Sequence, residues 1–134
     1  MPESAPASAP CVLVVDDDDN VRRVVLRQLA RLGYRTVEAA DGAGALARLA
    51  ETGDVALLLV DVSMPGGMNG PEVAEHARRT RPGLKVLFAS GNVDQQIAAS
   101  EDFIVKPYRK EELARKLHEI LPSGPHPLQP GARP

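Results

Sequence analysis

The chain is poor in several residue types, and each shortage excludes a class of protein. It has no tryptophan, two tyrosines and two phenylalanines, so Val, Leu, Ile and Ala must build the core. The single cysteine, Cys11, excludes an internal disulfide and fits a reducing cytoplasm. A net charge of −2 gives no basic excess for nucleic acid or an anionic membrane, and no apolar run approaches the roughly 18 residues of a membrane span. We therefore expect a cytoplasmic protein that binds neither nucleic acid nor membranes.

Proline-rich segments flank a region that has the composition of a folded domain. Of the 134 residues, 43% are hydrophobic and 25% are charged, as in ordinary globular proteins. Residues 1–10 hold three prolines and residues 122–134 hold five, so neither segment can pack a core. The first segment also lacks the basic region and hydrophobic core of a signal peptide. We predict a flexible segment at 1–10, one folded domain at 11–121 and a flexible tail at 122–134.

Strand-like and helix-like patterns alternate along residues 11–121. Unbroken apolar runs at 11–15 and 55–60 indicate strands that are buried on both faces. Further strands are predicted at 34–39, 84–89 and 103–105. Helices are predicted at about 18–32, at 43–52, from the Gly-rich loop 61–70 to about 80, and at 111–121. The first helix has one apolar face, formed by Val21, Val24, Val25, Leu29 and Leu32.

Strict alternation of strands and helices predicts an α/β fold, with a parallel sheet covered by helices on both faces. By analogy with flavodoxin-like doubly wound proteins, we expect five strands in the order 2-1-3-4-5, which makes strands one and three neighbours. Functional residues of such sheets lie at the carboxyl ends of the strands. Strand one is followed here by Asp16 and Asp17, strand three by Asp61, strand four by Ser90 and strand five by Lys106.

The acids at these strand ends predict a cation site beside a reactive carboxylate. Carboxylates a few ångströms apart repel by on the order of 4 kcal/mol per pair at an effective dielectric of about 20, unless a proton or a cation lies among them. Oxygen ligands without His or Cys favour Mg²⁺, which suits phosphoryl transfer. Lys106 and the Ser90 hydroxyl can contact phosphoryl oxygens. Asp61 stands alone beside a Pro/Gly loop, so it is the better nucleophile.

Four short motifs occur in order at these positions. They are Val12-Leu-Val-Val-Asp16-Asp17, Val60-Asp61-Val-Ser-Met-Pro65-Gly, Phe88-Ala-Ser90-Gly and Phe103-Ile-Val-Lys106-Pro107. With them, residues 11 to about 121 resemble the receiver domain of bacterial two-component response regulators.

The resemblance implies a function and a set of site residues. In such a domain, Asp61 accepts a phosphoryl group from a sensor histidine kinase or a histidine phosphotransfer protein. The peptide bond between Lys106 and Pro107 is expected to be cis. The other implied residues are Asp16, Asp17 and the Ser63 backbone carbonyl as Mg²⁺ ligands together with Asp61, Lys106 as the partner of the phosphoryl oxygens, Ser90 as the switch hydroxyl and Phe103 as the coupled aromatic.

The segment between Ser90 and Lys106 is shorter than receivers usually have. Only fifteen residues separate the two, so the fourth helix must be short or replaced by a loop around 94–100. This abbreviates the usual output surface, which is built from the fourth helix, the fifth strand and the fifth helix. Since no effector domain fits in the residues after 121, we expect output by contact with an unknown downstream protein, or by passing the phosphate onward as a relay or sink.

Two other functions are also compatible with parts of this sequence. A small phosphatase of the haloacid-dehalogenase type uses a similar series of residues, which Asp16, Asp18, Ser90 and Lys106 imitate. That series leaves Asp61 without a purpose, and no acidic pair follows a later strand to complete its metal site. The other is a degenerate receiver used only for docking, against which the full set of acids, Ser and Lys argues. We expect no enzymatic activity beyond the protein's own phosphorylation and dephosphorylation.

Overall fold

The computed structural model describes residues 9–93 and 95–122 of the chain. Within them the strands are β1 (Cys11–Val15), β2 (Arg35–Ala39), β3 (Val55–Asp61), β4 (Lys85–Ser90) and β5 (Asp102–Val105). The helices are α1 (Asp19–Arg31), α2 (Gly42–Glu51), α3 (Gly70–Thr80), α4 (Gln95–Ser100) and α5 (Lys110–Ile120). The two predicted flexible segments lie almost wholly outside the described residues, as does Asp94. None of the described helices has the length and apolar character needed to cross a membrane.

The strands form one parallel sheet in the order β2-β1-β3-β4-β5, as predicted. All five residues of β1 are buried, and so are six of the seven in β3. Both strands lie inside a sheet that helices cover on each face, which explains their unbroken apolar sequence. The register pairs Val15 with Val60, so the chain leaves β1 and β3 at the same level. The predicted strand bounds differ from these by about one residue.

Helices cover the two faces of the sheet in pairs. One hydrophobic cluster joins α1 and α5 to the sheet, and a second joins α2 and α3 to the opposite face. The spacing of four residues between Val25 and Leu29, and between Leu113 and Leu117, puts each pair on one side of its helix. Full burial stabilises each such side chain by roughly 1.5–3 kcal/mol. The fold is therefore the flavodoxin-like doubly wound α/β fold that the sequence predicted.

One residue of the predicted apolar face of α1 lies on the surface. Val24 is 50% exposed, whereas Val25 and Leu29 are buried. Consecutive residues of a helix point about 100° apart, so the rotation that directs Val25 toward the sheet turns Val24 away from it. The prediction that Val24 packs inward was wrong. The residue instead lines a groove beside Lys106.

The fourth helix is short, as the spacing between Ser90 and Lys106 predicted. It has six residues, and none of them is fully buried. Ile97 packs against the cluster that contains α2 and α3. Directly after α4, Glu101 accepts two hydrogen bonds from Arg78 of α3, at 2.7 and 3.0 Å. A bidentate ion pair therefore connects the end of this small helix to α3.

Candidate functional site

Two acids occupy the carboxyl ends of the neighbouring strands β1 and β3. Because Val15 pairs with Val60, Asp16 and Asp61 follow at the same level of the sheet. Adjacent strands lie about 4.8 Å apart, so this register brings the two carboxylates together. Both residues are nearly buried, with 6% of Asp16 and 8% of Asp61 exposed. The sheet topology therefore concentrates negative charge at one point.

Lys106 is a cation that joins these two acids. Its Nζ donates to Asp61 Oδ2 at 3.1 Å and to Asp16 Oδ2 at 3.2 Å. The residue follows β5, where its amide donates to Ser90 O at 2.8 Å, so its side chain must cross the end of β4 to reach β3. The long flexible stem of lysine allows that reach. The peptide bond between Lys106 and Pro107 is cis, as the resemblance implied.

Burial and charge act in opposite directions on the pKa values of this group. Burial raises the pKa of Asp61, and the charge of Asp16 adds to the rise. The hydrogen bond and charge of Lys106 lower it without cancelling the rise, so the pKa of Asp61 stays above its ordinary value. Burial lowers the pKa of Lys106, but contacts with Asp61 and Asp16 outweigh that effect and leave the pKa raised. Lys106 is therefore an ammonium at neutral pH, and it stabilises the carboxylate form of Asp61. The carboxylate form is the nucleophilic one.

A third acid completes a cluster that fits a divalent cation. Ligand oxygens of Asp16, Asp17 and Asp61 all lie within 4.8 Å of one another. Asp17 is exposed, so the cluster is open to solvent on one side. Three carboxylates and the Lys106 ammonium leave an excess of two negative charges, which a dication would offset. The donors are hard oxygens, the type that Mg²⁺ prefers.

The loop after β3 holds the Asp61 carboxylate against the sheet. Ser63 N donates to Asp61 Oδ1 at 3.3 Å, and Val62 N donates to Ala89 O at 2.9 Å. Gly70 N, at the start of α3, donates to Val62 O at 3.0 Å.

A Cβ on Gly70 would lie 2.9 Å from Val62 Cα and would collide with the Asp61 carbonyl oxygen. Glycine is therefore required where α3 begins, since the backbone of the strand end passes so close.

Ser90 ends β4, and Phe103 lies near the start of the neighbouring strand β5. The Ser90 hydroxyl accepts a hydrogen bond from Asn92 N at 3.3 Å. Phe103 is buried and pairs with Phe88 across β4 and β5. Since side chains two residues apart on a strand share a face, Ser90, Phe88 and Phe103 lie on one side of the sheet. The switch roles of Ser90 and Phe103 and the ligand role of the Ser63 carbonyl stay predictions.

Two residues near the site were not predicted from the sequence. Arg22, near the start of α1, donates to Asp16 O at 2.7 Å. Tyr108 lines the same groove as Lys106, and its pKa is raised, first by partial burial and then by the charges of Asp16 and Asp61. A cation near a helix N-terminus is unfavourable, so the position of Arg22 indicated an acidic neighbour. Tyr108 had the weaker signal of being a rare aromatic residue two positions after Lys106.

Comparison with known proteins identifies the family. The profile described as response regulator receiver domain matches residues 12–118. The chain belongs to this family. As a receiver domain, it is a phosphoacceptor of two-component signalling.

Three known proteins from these comparisons are similar to this chain. The sensor kinase CckA of Brucella abortus is 37% identical over 117 residues, which are 82% of this chain but only 12% of that protein. The response regulator receiver protein CpdR of Brucella abortus is 31% identical over 116 residues, 82% of this chain and 95% of that protein. The response regulator TrrA of Thermotoga maritima, solved in complex with Mg²⁺ and BeF, has a TM-score of 0.74 and 29% identity, covering 84% of this chain and 99% of its own.

Membership of the receiver family leaves the phosphatase alternative without support. That alternative needs Asp18 to act beside Asp16. Asp18 Oδ1 instead accepts hydrogen bonds from Asn20 N at 2.9 Å and from Val21 N at 3.1 Å, so it caps the start of α1. The acid that the phosphatase would leave unused, Asp61, contacts Lys106 within the carboxylate cluster. The haloacid-dehalogenase interpretation is therefore not supported.

Proposed function

We propose that Asp61 is the residue that accepts the phosphoryl group. The observation that carries the proposal is the position of Lys106 Nζ, 3.1 Å from Asp61 and 3.2 Å from Asp16. The Lys106 ammonium opposes the effect of burial on Asp61 and so favours the anionic form, which is the form that attacks phosphorus. The same ammonium is ready to pair with the oxygens of an aspartyl phosphate.

The proposed reaction forms one bond and breaks one bond. An Asp61 oxygen bonds to phosphorus while the bond between phosphorus and the donor histidine nitrogen breaks. The electron pair of that bond stays on the imidazole, which takes up a proton from solvent. Water later attacks the phosphorus, releases phosphate and restores the Asp61 carboxylate. The protein thus carries about one phosphoryl group per molecule, and we expect no turnover of other substrates.

The carboxylate cluster fits Mg²⁺ by its donor chemistry and by its excess negative charge. We assign Asp16, Asp17, Asp61 and the backbone carbonyl of Ser63 as the residues that hold the ion. When bound there, Mg²⁺ neutralises charge on the phosphoryl oxygens. The Mg²⁺ and BeF complex of the relative TrrA supports this assignment.

Ser90 and Phe103 are proposed to transmit the phosphorylated state. The hydrogen bond that Asn92 N donates to the Ser90 hydroxyl is long, at 3.3 Å, so turning the hydroxyl toward a phosphoryl group costs little. Phe103 belongs to the same hydrophobic cluster as Phe88, and Ile97 of α4 packs against that cluster. A shift of Phe103 would therefore change the packing of α4 against this cluster. Phosphorylation would bias this region between two arrangements.

A sensor histidine kinase or a histidine phosphotransfer protein is the proposed donor. An apolar groove of about 420 Å³ adjoins Lys106, lined in part by Val21, Val24 and Pro107. The exposed Val24 offers a contact that a partner could bury. Next to it, Arg27, Arg31 and Lys110 line a second depression, so the surface favours a partner with acidic residues.

Two forms of output are compatible with a phosphorylated Asp61. A contact switch would change the affinity of the protein for a downstream partner. A relay or sink would pass the phosphoryl group to a second protein or lose it to water. The small, largely exposed α4 gives little surface for a switch, which favours the relay or sink. A large change in a target's affinity on phosphorylation would argue against that preference.

Intact-protein mass spectrometry tests the phosphoacceptor directly. The wild type, Asp61→Asn and Asp102→Asn are incubated with a small acyl-phosphate donor, with and without Mg²⁺. Asp102 is an exposed acid at the start of β5 and serves as the matched control. One phosphoryl adduct that needs Mg²⁺, is absent from Asp61→Asn and persists in Asp102→Asn would support the proposal. An equal adduct on Asp61→Asn would overturn it.

The extent and location of the domain complete the proposal. We infer that residues 11–121 form the receiver domain, flanked by segments at 1–10 and 122–134. The family match over residues 12–118 supports these limits. The cytoplasm is the proposed site of action, since a lone cysteine fits a reducing compartment.

A further inference from the structure

Arg22 connects the acidic loop after β1 to two other parts of the fold. Its Nη1 donates to Asp16 O at 2.7 Å, its Nε to Glu38 Oε1 at 2.8 Å and its Nη2 to Asp19 Oδ1 at 2.6 Å. The Arg22 side chain is only 14% exposed. Glu38 belongs to β2 and Asp19 begins α1, so two acids from different elements fix the orientation of the guanidinium. The third nitrogen is then aimed at the backbone of the acidic loop.

The bond to the Asp16 carbonyl has a consequence for the next residue. That carbonyl and the amide nitrogen of Asp17 belong to one planar peptide unit. A donor that holds the oxygen therefore sets the direction in which Asp17 leaves the strand. Among the described residues, nothing donates a hydrogen bond to the exposed Asp17 carboxylate, so its position depends on its backbone. The Asp16 carboxylate, in contrast, has its own donors: Asp18 N at 2.9 Å and Lys106 Nζ at 3.2 Å.

We propose that Arg22 is a positioning residue that holds Asp17 in place as a Mg²⁺ ligand, acting through the peptide unit between Asp16 and Asp17. This inference rests on the Mg²⁺ site of the proposed function. Arg22 contacts no reacting atom, and its effect is on metal affinity. The groups that hold it are Glu38 and Asp19.

Whether replacement of Arg22 weakens or tightens Mg²⁺ binding separates a positioning role from a purely electrostatic one. A guanidinium near the cluster repels a dication, so removal of its charge alone would tighten Mg²⁺ binding. Loss of positioning would weaken binding, because Asp17 would sample more orientations. Lysine keeps the charge at this position, but it lacks the planar fork that reaches three acceptors at once. Arg22→Lys therefore tests geometry at constant charge.

The experiment is a titration with MgCl₂ alone, followed by backbone amide chemical shifts in NMR. The proteins are the wild type, Arg22→Met, Arg22→Lys and Arg23→Met. Arg23 is the exposed neighbour on α1, so its replacement removes the same charge without touching the Asp16 carbonyl. We expect Mg²⁺ binding to weaken about tenfold in Arg22→Met, the lower end of the effect of removing groups that support metal ligands. Arg22→Lys should show a smaller loss, and Arg23→Met should match the wild type.

A second measurement distinguishes a positioning role from a loss of structure. At saturating Mg²⁺, phosphorylation of Arg22→Met by a small acyl phosphate should return to nearly the wild-type rate. If Arg22→Met does not fold, Arg22→Lys and Glu38→Gln carry the test, and weaker Mg²⁺ binding in both supports the proposal. Unchanged or tighter binding in folded Arg22 variants would overturn it while leaving the proposed function intact. A wild type that does not bind Mg²⁺ would overturn this inference together with the metal site.

Discussion

Lys106 and Asp16 are 90 residues apart in the chain, yet Lys106 Nζ lies 3.2 Å from Asp16 Oδ2. The same nitrogen lies 3.1 Å from Asp61 Oδ2. One ammonium therefore compensates two nearly buried carboxylates that the strand order places side by side. This contact links the stability of the domain to its proposed chemistry, because the two acids that we assign to the site repel each other without it.

Replacement of Lys106 by Met should destabilise the protein and make its stability depend on Mg²⁺. Removal of one partner from a fully buried ion pair costs about 3–5 kcal/mol, and we expect about 1–3 kcal/mol here because Lys106 is partly exposed. Urea unfolding with and without saturating MgCl₂ measures the free energy of unfolding. Mg²⁺ should restore much of the loss, since it supplies the missing positive charge. Lys85→Met, at the exposed start of β4, is the control and should change little.

Alanine at Gly70 should disturb the site from a distance. The added Cβ would collide with the Asp61 carbonyl oxygen and lie 2.9 Å from Val62 Cα, so the loop after β3 must shift. We expect a loss of about 1–3 kcal/mol in the free energy of unfolding, the usual result of overpacking. Phosphorylation by a small acyl phosphate should also slow. Gly83→Ala is the matched control, because a Cβ there meets nothing within 4 Å; an equal effect of both changes would contradict the explanation.

The ion pair between Arg78 and Glu101 should give a stability contribution that disappears in acid. Hydrogen bonds from Arg78 hold the pKa of Glu101 below its ordinary value of 4.5. A pKa that is lowered in the folded state adds stability above the unfolded value, and this is lost as the pH falls through the folded value. Glu101→Gln should therefore lower the free energy of unfolding at pH 7, by at most about 1 kcal/mol for a partly exposed pair. Thermal unfolding of both proteins should converge once the pH lies below the folded-state pKa.

An acidic residue at Val24 should affect transfer from a protein donor only. Val24 is 50% exposed, so Val24→Glu should change the free energy of unfolding by no more than about 0.5 kcal/mol. If a partner buries this side chain, the rate of transfer from a phosphohistidine protein should fall about tenfold, the effect of losing one well-packed contact. Transfer from a small acyl phosphate is the internal control and should not change. Equal slowing with both donors would place the defect at Asp61 rather than at a partner contact around Val24.

Much of the candidate site could be predicted because parallel sheets place chemistry at their carboxyl ends. Asp16, Asp61 and Lys106 each follow an apolar strand, and the structure brings these three together. The first helix is predicted to begin at about residue 18, and the Asp18 side chain caps α1. The position of Val24 was predicted wrongly, because apolar spacing alone does not fix the rotation of a helix against a sheet.

The sequence by itself determined the order of strands and helices, the short fourth helix and the acids at the strand ends. These features depend on local hydrophobic periodicity and on the number of residues between motifs, and both are properties of the sequence alone. Only the tertiary structure decided that Lys106 contacts both Asp16 and Asp61. The same is true of the hydrogen bond from Arg22 to the Asp16 carbonyl and of the close approach between Gly70 and the backbone at the end of β3. The physical reason is that such contacts depend on strand register and helix rotation, which the packing of the whole core sets.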